Sequence, residues 1–173
     1  MSPLNHEKIY RNYLRPGQIY LLTLLRILIG WHFLYEGLAK LFNPYWTSAD
    51  FLLQSKWIFS SLFKALAASP TILKIVDWLN IWGLILIGLA LMFGFAEKVA
   101  CWTGAILLFL YYLATPPFSG YSYSIPQEGS YVIVNKNLIE LVALLVLNVF
   151  HTSRVYGLDY FFFRKKQAPS IQK

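Results

Sequence analysis

The sequence predicts an all-α polytopic membrane protein, a four-helix bundle with an extra amphipathic helix in its first extracytoplasmic loop. Three observations lead there. The 173-residue chain is 57% hydrophobic and 18% aromatic but only 13% charged, where a soluble domain carries about 25% charged residues. Four apolar stretches, at about 18–41, 75–95, 99–114 and 137–150, approach or exceed what a hydrocarbon layer of roughly 30 Å requires. Basic residues exceed acidic ones, 15 to 8, and gather mainly in the tails and the short turn, as topology signals do. The length fits a single membrane domain over 1–173, with basic cytoplasmic tails at 1–17 and 151–173.

The first span, from Gln18 to about Leu41, reads QIYLLTLLRILIGWHFLYEGLAKL. Pro16-Gly17 precedes it and Asn43-Pro44 stops it. At about 100° per residue, Arg26, His32, Glu36 and Lys40 fall in one arc of roughly 120°. Four such residues on one stripe cannot all face lipid, because one charge at mid-membrane costs at least ~2.5–3.5 kcal/mol. They face protein, water or a ligand. The span is full length and charged, so it is expected to stay in place and not to be removed as a leader.

The loop from Asn43 to Ser69 contains DFLLQSKWIFSSLFKALAA, with Leu53, Trp57, Leu62 and Leu66 near helical spacing. One amphipathic helix is expected, lying in the interface or packed over the bundle mouth. Ser69-Pro70 is a helix start, and the second span carries Gly83, Gly88 and Gly94 for close helix approach. A turn with Glu97 and Lys98 leads to the third span, stopped by Pro116-Pro117. The second long loop, to Lys136, is rich in Pro, Gly, Ser and Tyr, and the fourth span after it is short. Tails and turn hold nine basic residues against Lys56, Lys64, Lys74 and Lys136 in the long loops. That imbalance puts both termini on the cytoplasmic side of an inner membrane.

In this topology Asp77 and Asn80 of the second span and Asn137 and Glu140 of the fourth share the outer layer with His32, Glu36 and Lys40. A polar pocket is expected there, with Glu36, Asp77 and Glu140 pairing with Lys40, His32 or Lys136. These pairs could instead only fix helix register. Arg26 lies deeper, with Glu97 at the inner interface its nearest acidic candidate. Tyr111, Tyr112 and the loop tyrosines bring amphipathic rings to the polar layer, which suits a flat, partly apolar headgroup such as a quinone. His32 and His151 lie at different depths and cannot ligate one haem iron. A single cysteine, Cys101, excludes an internal disulfide or a CxxC pair. No metal, haem, iron–sulfur, flavin or nucleotide motif is present, and the basic residues form no nucleic-acid motif.

Arg26, Gly30, Phe33, Gly37 and Lys40 follow an R-x3-G-x2-F-x3-G-x2-K pattern. With Gly88 and Gly94, Lys136-Asn137-Leu138 and Gly157-Leu158-Asp159, the chain from Gln18 to Asp159 resembles the DoxX family of small four-helix membrane proteins. That family includes the DoxD-like subunit of thiosulfate:quinone oxidoreductase. The resemblance implies a membrane component of an oxidoreductase system that works with a protein redox partner or as a homo-oligomer, and with the polar pocket it gives a quinone- or lipid-headgroup-binding subunit. On that reading Arg26, Lys40, Asp77, Asn80, Asn137 and Glu140 bind the ligand, while His32 and Glu36 relay protons. A non-catalytic membrane scaffold, holding a partner through its outer loops, is the alternative.

Overall fold

The computed structural model describes residues 14–124 and 132–160. The expectations for the first basic tail up to residue 13, for the loop over 125–131, and for the aromatic and basic end after Tyr160 lie outside the described residues. Every element among the described residues is helical: α1 Pro16–Leu41, α2 Ala49–Leu53, α3 Ser60–Ala68, α4 Pro70–Phe93, α5 Glu97–Ala114 and α6 Lys136–Phe150, then a 3-10 turn at Thr152–Arg154. Among the described residues, α1, α4 and α5 are long and apolar enough to cross a membrane. Helix α6 has 15 residues, or roughly 22 Å, and is shorter than a span.

Local chemistry sets the boundaries. Helix α1 opens on Pro16, whose missing N–H costs nothing at a helix start, and the Arg15 N–H donates to Gln18 Oε1 at 2.8 Å. Helix α4 opens on Pro70, so it begins five residues before the apolar stretch that marked it in the sequence. It ends at Gly94, where φ is +62°, a conformation that glycine reaches without strain. Asn135 caps α6, its Oδ1 accepting from the Leu138 N–H at 3.0 Å.

Helices α1 and α4 lie antiparallel and very close. A Cβ added at Gly30 would sit 2.8 Å from the Met92 nitrogen, and one at Gly88 would sit 2.5 Å from the Leu34 nitrogen. Only hydrogen fits at this crossing. Gly83, expected to do the same, has open space around it. Helices α5 and α6 form a second pair. Phe33, Leu84, Ile87, Leu91, Cys101, Leu108, Leu144 and Leu147, from α1, α4, α5 and α6, fill one core.

The first loop departs from expectation. It holds two short helices, α2 and α3, not one. The break lies where the chain is drawn to the second long loop: Lys56 Nζ donates to the Ser122 carbonyl and the Ser124 N–H donates to Gln54 Oε1 at 2.6 Å. Trp57 meets Phe118 edge-on at 5.1 Å. These contacts between loops override the helical spacing. Leu52 of α2 and Phe63 of α3 pack with Ala114 of α5 in a second small core, so the two helices sit on the protein.

Candidate functional site

The polar residues separate into two groups at opposite ends of the helices. At the long-loop end, His32 Nδ1 of α1 meets Glu140 Oε1 of α6 at 2.8 Å. One turn along α1, Lys40 Nζ donates to Glu36 Oε2 at 2.8 Å. Lys40 also lies over the Trp46 ring, 5.7 Å from its centre. Glu36 is within electrostatic range of both His32 and Lys136, so the two pairs lie near each other on the α1 and α6 side. The pairs are only partly buried: His32 keeps 35% of its side-chain surface exposed and Glu36 keeps 42%. An ionised carboxylate only accepts hydrogen bonds, so Nδ1 is the donor to Glu140. That leaves Nε2 without a hydrogen-bond partner among the described residues.

Asp77 belongs to a different task. It accepts from Thr47 Oγ1 at 2.9 Å and from both the N–H and hydroxyl of Ser48, tying the first loop to α4. Asn80 Nδ2 donates to the Tyr111 hydroxyl at 2.6 Å, while its buried Oδ1 has no hydrogen-bond partner among the described residues. Asn137 is half-buried in the first turn of α6; the capping residue there is Asn135. In the second loop, burial and the neighbouring Tyr121 hold the Tyr123 phenol above its usual range.

The opposite end is closed. Arg26 and Glu97 are each 1% exposed, with Nη1 and Oε2 3.8 Å apart. Arg26 donates to Thr152 Oγ1 at 3.0 Å and to the Tyr156 carbonyl at 2.6 Å. Glu97 accepts from the Thr152 hydroxyl at 3.1 Å and the Ser153 N–H at 2.6 Å. Asp159 then caps α5, accepting from the Ala96 and Glu97 N–H groups at 2.9 and 3.3 Å and from Ser153 Oγ at 2.7 Å. The Leu158 and Asp159 N–H groups donate to the Phe93 and Gly94 carbonyls, both at 2.9 Å. The chain after α6 thus clamps the α4–α5 turn. Beside it, Leu86, Phe93, Val99, Thr103 and Leu158 line an apolar cavity of about 390 Å³ that includes none of the expected site residues.

Of the residues singled out in the sequence, the structure brings together His32, Glu36, Lys40 and Glu140. It assigns Arg26 to the clamp, and engages Asp77 and Asn80 in separate contacts. Sequence reasoning missed Thr152, Ser153 and Asp159 as polar partners. Gly157-Leu158-Asp159 was visible as a motif, but an aspartate capping a helix that starts 62 positions earlier leaves no local pattern.

The DoxX family model matches residues 21–116, which is over half of the 173 residues. Helix α6 and the segment after it that clamps Arg26 and Glu97 lie beyond the matched segment. Comparison with curated proteins and with solved structures finds no match to either. With apolar helices long enough to cross a bilayer and the family match over residues 21–116, the chain is an integral membrane protein that belongs to the DoxX family.

Proposed function

We propose that the chain is the quinone-binding membrane subunit of an oxidoreductase system in a bacterial inner membrane, with its site at the His32–Glu140 pair. The observation that carries this reading is a partly exposed histidine whose Nδ1 is held by a carboxylate and whose Nε2 has no hydrogen-bond partner among the described residues. Such a ring serves either form of a quinone. As an imidazolium it donates from Nε2 to a carbonyl oxygen; as a neutral ring with the proton on Nδ1 it accepts from a quinol hydroxyl. Lys136 and Lys40 supply positive charge beside the same groups, and Glu36 offers a relay toward the long loops. Quinone itself supplies the redox chemistry, taking up two electrons and two protons. The electrons come from a redox partner, and this chain binds the headgroup and moves protons.

The test is a binding titration of purified protein in detergent with a short-tail ubiquinone analogue. Saturable binding near one per chain is expected, weakened at least tenfold by His32→Ala and severalfold by Glu36→Gln. Binding of a phospholipid headgroup analogue with equal affinity, or no saturable quinone binding, overturns the proposal.

The two long loops favour a second reading. Lys56–Ser122, Gln54–Ser124 and Trp57–Phe118 join them into one surface, which suits a non-catalytic scaffold that holds a partner protein. On that reading Trp57→Ala with Lys56→Ala abolishes copurification of the partner, and His32→Ala does not.

A further inference from the structure

The sequence places His32 where exposure to lipid is costly, yet the side chain is 35% exposed. His32 lies roughly 13 Å from the end of α1 at Leu41 and roughly 24 Å from its start at Pro16. Both distances put it within a hydrocarbon layer of about 30 Å. Its neighbours on the same side of α1, Leu28 and Tyr35, are exposed apolar or aromatic residues, and on α6 the residue next to Glu140 at the edge of its face, Ile139, is exposed and apolar as well. Helix α1 packs closely on α4, and α5 on α6, while α1 and α6 touch far less. The His32–Glu140 hydrogen bond is a polar stitch across the thinnest seam of the bundle. The exposed surface beside His32 on α1 is apolar, so a polar partner that reaches Nε2 from that side is one dissolved in the bilayer.

We infer that the site is loaded sideways from the membrane: an amphipathic ligand places a hydrogen-bonding carbonyl or hydroxyl on His32 Nε2 and leaves its apolar tail in lipid along the α1–α6 seam. This rests on the quinone reading and deepens it, fixing the ligand class as long-tailed and membrane-dissolved and the approach as lateral. The aqueous mouth under the loops is not the route. Leu28, Tyr35 and Ile139 form the rim that the tail crosses.

The experiment uses the full chain in nanodiscs and two photoreactive ubiquinone analogues, one with its photoreactive group on the ring and one with it on the tail. Adducts are mapped by mass spectrometry. The tail probe is expected to label the rim residues of α1 and α6, with labelling displaced by excess unlabelled analogue and lowered at least tenfold by His32→Ala. Glu140→Gln, which keeps shape and volume, is the second variant and is expected to lower labelling severalfold. Tail adducts in 43–69 or 116–124, with ring adducts still near His32, overturn lateral loading while leaving quinone binding intact. Labelling by neither probe, or labelling that excess analogue does not displace, overturns both.

Discussion

Both ends of the helices carry ion pairs within reach of α1, yet the two are built in opposite ways. At the α4–α5 turn, Arg26 and Glu97 are buried and surrounded by hydroxyls, backbone N–H groups and carbonyls from the segment after α6. At the long-loop end, His32–Glu140 and Glu36–Lys40 are partly open, and the second imidazole nitrogen has no hydrogen-bond partner among the described residues. A buried pair contributes mainly by not being broken: removing one partner strands the other charge in a low-dielectric interior. A partly exposed pair holds little of the fold and leaves its groups available. The difference separates a structural clamp from a site, although Arg26 shares the polar stripe of α1 with His32, Glu36 and Lys40.

The largest expected effect comes from breaking the clamp. Glu97→Ala should lower stability by about 3–5 kcal/mol, seen as loss of folded protein in a thermal scan in detergent. Replacing both partners, Arg26→Met with Glu97→Leu, should recover most of that loss. If the double variant is as unstable as the single one, the pair does more than compensate its own burial.

Next is Gly94→Ala. A Cβ there would meet Gly157 Cα at 2.8 Å and the Arg26 guanidinium at 3.0 Å, at a φ of +62°. Roughly 1–3 kcal/mol of destabilisation follows from the backbone conformation alone. Asp159→Ala removes the α5 cap and should cost about 1–2 kcal/mol, read in the same scan. Smallest is Lys40→Gln: a pair four residues apart on one helix is worth about 0.3–0.5 kcal/mol, so the melting curve should barely move. A loss comparable to that of Asp159→Ala would erase the contrast between the ends.

The stripe on α1 and its meeting with Glu140 were legible because helical spacing and the cost of buried charge constrain them together. Of the three glycines read as close-packing positions, Gly88 does meet α1 at Gly30, while Gly83 faces open space and Gly94 ends α4, so composition marked the close approach without fixing which glycine makes it. Other features were hidden because their causes are distant in the chain. The break between α2 and α3 comes from contacts with Ser122 and Ser124, and the cap of α5 comes from Asp159. Asp77 looked like a pocket residue because depth alone was available; its actual partners, Thr47 and Ser48, lie on the loop just before α2.

The most direct test of the division between clamp and site is to extract gently solubilised protein with organic solvent and count quinone per chain. Wild type should carry close to one quinone, while the His32→Ala with Glu140→Gln variant should carry almost none and melt within a few degrees of wild type. Quinone retained in that variant, or absent from wild type, would contradict the account.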